Sequence, residues 1–369
     1  MKRYIYIFFL LILLSCGKED GPVSGSRCIE IAVSTPDVTV GTKAELTGDA
    51  LQSPNNLYLY VEQSDGSSSY PIVSMPGAQL QYNKNVKVWN PMEYVYVYES
   101  GYYQYKYQSL TWDNSRKSYY RFYGFAHTPV ASGSELQISN ATYGRQFTIT
   151  QPVGGDGTTT IDYLLSSLVN VAPSANYPLV PIELEHALAR VDVDVQIAQS
   201  MFNGDDCLVD DITISISGIR RKATMLCQNP KIYGAEGTNS WYITYETADD
   251  ATYTMNISNT EVNLEGEDTN LDMSFMAIPV ANADMADEDA GPDYVLTLEY
   301  NNAPKKGAPK DYTYTFNLKD FSPDGWVGGH KVKYVLTIDN SIHLKGTVVD
   351  YHEVDYIEAV VVPDISGTK

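Results

Sequence analysis

Cysteine, histidine and positive charge are all scarce in this sequence. Four cysteines in 369 residues are too few for the disulfide framework on which small secreted domains rely. Cys207 and Cys227 could pair across neighbouring strands, but spacing does not establish it, and Cys28 would then be left over. The five histidines, His127, His186, His330, His343 and His352, have no HExxH or HxH spacing, and no CxxC accompanies them. Each reads as a surface or packing residue, not a metal ligand or a base. Lys and Arg number 25 against 46 Asp and Glu, a formal charge of −21. A surface of that sign repels phosphate, which excludes nucleic acid as a partner.

Catalytic signatures are missing as well. There is no G-x-S-x-G, no P-loop and no dinucleotide fingerprint, and the GG pairs at 154–155 and 328–329 read as turn glycines. The acidic runs NGDDCLVDD (203–211) and DMADEDAGPD (284–293) lack the alternate oxygen ligands and central glycine of a calcium loop. They read as solvated loops. No catalytic residue, metal site or cofactor site is assigned, and the chain reads as non-enzymatic.

A sustained 3.6-residue period is also absent; only short stretches such as EHALAR (185–190) suit a helical turn. What fills the chain is alternation. IEIAVS (29–34), LYLYVE (57–62), VKVW (86–89), YVYVYE (94–99), YYRFYGFA (119–126), ELQI (135–138) and RQFTIT (145–150) read as strands. Turn chemistry such as SDGSSS, NPM, ESG and HTPVASGS separates them. The 30 tyrosines suit pleated, half-buried surfaces. The second half repeats the style, with DITISISGI (211–219), SWYITYE (240–246) and KVKYVLTI (331–338) among its strands. Short strands with a turn roughly every ten residues predict an all-β sandwich architecture. In PIELEHALARVDVDVQI (181–197) the apolar phase flips from even to odd across 186–190. Such a flip predicts a strand, an irregular turn holding His186, and a second strand.

The best binding candidate is YVYVYESGYYQYKYQSLTW (94–112). Tyr94, Tyr96 and Tyr98 fall on one strand face, where ordinary cross-strand packing accounts for them. The alternative is a sugar-stacking platform formed with Trp112.

The N-terminus carries a separate message. Lys2 and Arg3 precede an eleven-residue apolar run, Tyr4 to Leu14, too short for the roughly 20 residues of a membrane span. Leu13-Leu14-Ser15-Cys16 resembles the lipobox of bacterial lipoproteins, which implies lipidation of Cys16 and export. Gly17-Lys18-Glu19-Asp20 reads either as a plain polar tether or, by its resemblance to the Lys/acidic tag of surface lipoproteins, as a signal for the outer face of the outer membrane. Loss of Lys2 and Arg3 with this segment takes the formal charge from −21 to −23. The expected organisation is a lipoprotein signal peptide (1–15), a flexible lipid-anchored tether (16–28), an N-terminal β-sandwich (29–178) and a C-terminal one (179–369). The connection VAPSANYP (171–178) marks the expected boundary.

Four segments in order resemble the fimbrillin family, the subunits and accessory lipoproteins of type V pili. They are Trp112 with YYRFYGFAHTP (119–129), IDYLLSS (161–167), PIELEHALARVDVDV (181–195) and GWVGGHKVKYVLTI (325–338). Gly124 stands where the family usually has alanine, Arg190 where it has lysine, and Tyr351 where many members have tryptophan. The resemblance implies two tandem transthyretin-like Greek-key β-sandwich domains and no enzymatic activity. It also implies assembly with other pilus subunits by strand addition: a protease cuts after an arginine, and a C-terminal donor strand fills the groove. Arg27 is the candidate processing site and Lys43 a second basic one; YIEAVVVPDI (356–365) is the candidate donor strand or, equally, the last strand of the second domain. A surface receptor or glycan is a further expected partner. The alternative function is a surface glycan-binding lipoprotein using the tyrosine-rich sheet.

Overall fold

In the computed structural model, the described residues are 28–34, 57–64, 73–75, 79–83, 88–112, 119–128, 133–141, 144–166, 169–171, 179–203, 206–228, 241–257, 263–264, 273–286, 293–302, 309–339, 342–350 and 359–361. The first half contributes β1 (Ile31–Ser34), β2 (Leu57–Ser64), β3 (Val73–Met75), β4 (Gln79–Asn83), β5 (Val88–Glu99), β6 (Tyr102–Ser109), β7 (Tyr119–His127), β8 (Glu135–Ala141), β9 (Gly144–Thr150), β10 (Tyr163–Ser166) and β11 (Val169–Val171). Then come β12 (Val180–His186), β13 (Ala189–Ile197), β14 (Phe202–Asn203), β15 (Asp206–Cys207), β16 (Val209–Gln228), β17 (Trp241–Ile257) and β18 (Asn263–Leu264). The last six are β19 (Met273–Ala277), β20 (Val295–Asn302), β21 (Lys310–Asn317), β22 (His330–Ile338), β23 (Ile342–Asp350) and β24 (Ala359–Val361). The protein is all-β, its strands joined among the described residues by turns and three short 3-10 segments.

Ten strands form one sheet in the order β3-β2-β7-β10-β12-β1-β5-β4, with β11 on β7 and β6 on β5. A six-stranded sheet runs β18-β13-β22-β23-β24 with β19 on β13; another runs β21-β20-β16-β9-β8 with β17 on β16. These two six-stranded sheets pack face to face. Val191, Val193, Val195, Val332, Tyr334 and Leu336 meet Ile212, Ile214, Ile216, Leu296 and Leu298 in one core. The alternation read in the sequence is what supplies those faces, because successive strand residues point to opposite sides.

The ten-stranded sheet buries a core of its own, with Ile29, Ile31, Leu59, Phe122, Leu164, Ile182 and Trp112. A third cluster joins the two parts. Tyr60, Tyr123, Phe125, Tyr163 and Leu165, from the other face of β2, β7 and β10, pack with Phe147 and Ile149 of β9, Met225 of β16, and Met276 and Ile278. Gly124 lies on the opposite face of β7, in the core of the ten-stranded sheet. A Cβ there would sit 3.0 Å from Ile182 and 3.1 Å from Leu184, so the larger side chains of β12 occupy the space an alanine would take.

Chain order and sheet membership interleave around the expected boundary at 178. β12, which follows it, lies parallel to β1 (Val180 opposite Ile31) and antiparallel to β10. β8 and β9, which precede it, belong with β16, where Phe147 stands opposite Met225. The chain changes sheets at Ala187-Leu188, between β12 and β13. The predicted irregularity is therefore a bend one residue later than expected, His186 being the last residue of β12 opposite Leu164, and EHALAR forms no helix. Gly328 fits against it: a Cβ there would meet the Ala187 carbonyl oxygen at 2.6 Å. Two strand boundaries differ from expectation. Asn90-Pro91-Met92 is no turn but the middle of β5, with Pro91 opposite Leu80. The strand expected at 211–219 runs on to Gln228, through bulges that let it serve β17, β20 and β9 in turn.

Candidate functional site

Cys16, Arg27 and Lys43 lie outside the described residues, as do His352 and all of 356–365 except 359–361. No helix among the described residues is long and apolar enough to cross a membrane.

β1 is short and sits inside a sheet. It lies between β12, in parallel over four residue pairs, and β5, in antiparallel contact at Ile31 and Trp89. The Ile29 amide donates to the Leu110 carbonyl at 2.8 Å, and the Val180 amide donates to the Glu30 carbonyl at 3.0 Å. Cys28 forms a bridge with Thr111. Ile29 and Ile31 are fully buried, a burial worth about 1.5–3 kcal/mol each. Removing these few residues would therefore leave an apolar slot with two rows of backbone groups facing it. At the other end of the chain, β24 pairs with β23 through Val361, Val360 and Ala359 opposite Leu344, Lys345 and Gly346.

The tyrosine-rich segment is a hairpin. Ser100 and Gly101 both have positive φ, 54° and 88°, and Glu99 faces Tyr102 across them. This is the two-residue turn whose twist suits antiparallel strands. Tyr96 stands opposite Tyr105, and Tyr98 opposite Tyr103. Their rings interlock along the ladder: Tyr98–Tyr103 centroids are 4.9 Å apart, Tyr103–Tyr96 5.0 Å and Tyr96–Tyr105 4.6 Å. The cross-strand packing read from the sequence is present, yet Tyr96, Tyr98, Tyr103 and Tyr105 remain 57–63 % exposed. Trp112 does not join them. It is 1 % exposed, edge-on to Tyr120 in the core of the ten-stranded sheet. Only the alternative platform reading grouped Trp112 with the tyrosines, because it is near in the chain; the chain leaves the hairpin at Ser109.

Titratable groups gather where β7, β10 and β12 meet, under cover. His186 Nδ1 lies 3.0 Å from an Asp162 carboxylate oxygen, with side chains 1 % and 0 % exposed. His127 is also buried, its Nδ1 2.6 Å from the Thr128 carbonyl, and burial lowers its pKa below 6.5. Thr128 Oγ1 accepts from the Asp162 amide. Burial beside Asp162 pushes the Tyr163 phenol well above its ordinary value. These buried contacts tie β7, β10 and β12 together. Within β13 the Arg190 Nε donates to Asp192 at 2.7 Å, and Ser274 of β19 donates to the same oxygen at 2.7 Å, linking the two strands. Cys207 is a free thiol at the start of the segment leading into β16, whose far end carries Cys227. Its pKa is raised by burial. Among the described residues, no three His, Cys, Asp or Glu side chains converge as metal ligands.

Several solved structures are similar. A fimbrial protein from Bacteroides vulgatus is 13 % identical, with TM-score 0.49, covering 87 % of this chain and 99 % of that one. A candidate cell adhesion protein from Bacteroides uniformis is 14 % identical, with TM-score 0.45 over 90 % of this chain and 100 % of that one. A candidate polysaccharide-binding protein from Bacteroides thetaiotaomicron is 10 % identical, with TM-score 0.38 over 89 % and 98 %. At these scores the likeness carries no argument about ligand or mechanism. No curated protein matches the chain. The family described as fimbrillin-like matches residues 62–350, which spans β7, β12 and the Trp326 segment alike, and the chain belongs to that family.

Proposed function

We propose that this protein is a structural, adhesive, non-enzymatic subunit of a fimbrillin-type pilus. It is exported to the cell surface as an outer-membrane lipoprotein acylated at Cys16, built as two β-sandwich domains, and assembled by strand exchange in which β1 is the strand that leaves. The observation that carries this reading is the position of β1. It is four residues long, anchored by buried isoleucines, and inserted between two strands of a sheet that is otherwise complete around it. Its departure would offer a donor segment both backbone pairing and apolar pockets at alternate positions.

On this reading the two basic candidates have different consequences. Arg27 precedes Cys28 and β1, so a cut there frees the chain from its lipid and leaves the slot filled. Release of β1 needs a cut after Ser34, and Lys43 is the only Lys or Arg between Ser34 and Leu57. On the donor side, the three described residues of 356–365 pair only along β23, at about 1 kcal/mol net per hydrogen bond. A contact of that size can be given up for a longer match in a neighbouring subunit.

Mass and N-terminal sequencing of the protein recovered from cells test the reading. A polymerised form should begin between residues 35 and 56 and carry no acyl mass. Recovery of every fimbrial copy with an acylated Cys16 and β1 intact would overturn assembly through β1.

A further inference from the structure

We propose that the exposed face of the β5–β6 hairpin is a binding site for an uncharged polysaccharide chain. The inference goes beyond strand-exchange assembly and does not depend on it.

The hairpin projects from its sheet. β4 pairs with β5 through Met92 and β1 meets it at Trp89; from Glu93 to Gln108 the strands pair, among the described residues, with each other. Tyr96, Tyr98, Tyr103 and Tyr105 share one face of the ladder and are each more than half accessible, with Tyr107 on the same face 45 % exposed; Tyr102, opposite Glu99, lies on the other face. A contiguous aromatic surface of this kind is rare on a protein with no use for it. Ring-to-ring contacts of 4.6–5.0 Å hold the tyrosines in place beforehand, so little side-chain freedom remains to be lost on binding.

The chemistry of the face selects its occupant. Tyrosine offers an apolar ring with a hydroxyl at the rim. A pyranose matches it, with a C–H face to stack and equatorial hydroxyls to bond. A bilayer would call for Trp, Phe and Leu with free cations beside them, and the exposed face has tyrosines instead. Anionic polymers are opposed by the formal charge of −21; the hairpin's single cation, Lys106, is 3.4 Å from Glu99. The same charge opposes a second copy of the chain. An uncharged ligand meets none of these penalties. The ladder runs along the hairpin through Tyr98, Tyr103, Tyr96 and Tyr105, so it fits several sugar units in a row better than one.

The test is affinity electrophoresis of the full chain in gels containing galactomannan, xyloglucan or a β-1,3-glucan, with alginate and heparin as charged controls. Retardation by at least one neutral polymer and by neither charged one is expected. The Y96A/Y103A/Y105A variant should bind roughly tenfold more weakly, with an unchanged circular dichroism spectrum. The matching Phe variant should keep most of the binding. No retardation by any neutral polymer, stronger retardation by a charged one, or equal binding by the Ala variant would each overturn the proposal. So would a wild-type dimer in sedimentation that the Ala variant converts to monomer, since the face would then cover a second copy. Protease-triggered multimers should form equally in both variants, so failure here leaves the assembly reading standing, and the reverse holds.

Discussion

Two antiparallel pairs in this protein are rich in tyrosine and have opposite fates. In β20–β21, the Tyr300 and Tyr312 rings stack at 5.2 Å, and Tyr300 is 5 % exposed. In β5–β6, Tyr96 and Tyr103 stack at 5.0 Å, and Tyr96 is 57 % exposed. Ring stacking is therefore no guide to burial. The difference lies behind the rings: β20 presents Leu296 and Leu298 to the core shared with the β13 sheet, while the outer half of the hairpin projects beyond its pairing with β4 and β1. One pair holds the fold together, and the other is held out from it.

That contrast can be broken by mutation. The largest effect is expected deep in the core that β20 lines. Trp326 is 1 % exposed and donates from Nε1 to Tyr334 Oη at 2.8 Å; Trp326→Ala should cost about 3–5 kcal/mol in denaturant unfolding. Tyr300→Ala should cost about 3 kcal/mol for the same reason. At the other extreme, Tyr96→Ala should cost no more than about 1.5 kcal/mol, the scale of a ring pair. Equal losses for Tyr300→Ala and Tyr96→Ala would mean that the hairpin is covered in solution.

Acid offers a second way to separate the regions, since the hairpin contains no histidine and the seam contains His127. Desolvation lowers the His127 pKa below 6.5, so its folded form refuses a proton that the unfolded chain accepts. Its contribution to stability is complete above pH 6.5 and is lost as pH falls from there towards the lower folded value, by at most about 1.4 kcal/mol per pH unit. Unfolding midpoints measured across this range should fall with acidity. His127→Phe should flatten the slope, whereas Tyr96→Ala should leave it unchanged.

Much of this architecture is legible in the alternation. The strands LYLYVE and KVKYVLTI keep one face apolar, and the structure buries that face. The phase flip at 186–190 was readable too, because a strand cannot change faces without an irregularity. Sheet membership was not. Nothing in ELQI or RQFTIT announces that this hairpin pairs with a strand some 75 residues later. Nor does anything in IEIAVS announce a parallel partner at 180–183, since long-range pairing is written in shape rather than in period. Pro91 misled for a related reason. Proline ends most strands, but it is tolerated where its missing N–H is not needed by the ladder. For the candidate site, the ESG turn between tyrosine alternations gave the hairpin register, while the platform reading misplaced Trp112 because neighbours in sequence separate at the end of β6.

Whether β1 is a removable strand is tested most directly by limited proteolysis of the purified full chain. Arg-specific and Lys-specific proteases are applied in parallel, with cut positions read by mass and products run on a denaturing gel without heating. A cut at Arg27 should give a shortened monomer, and a cut within 35–56, at Lys43, should give a ladder of multimers. A chain cut at Lys43 that loses β1 and still runs as a monomer would contradict the account.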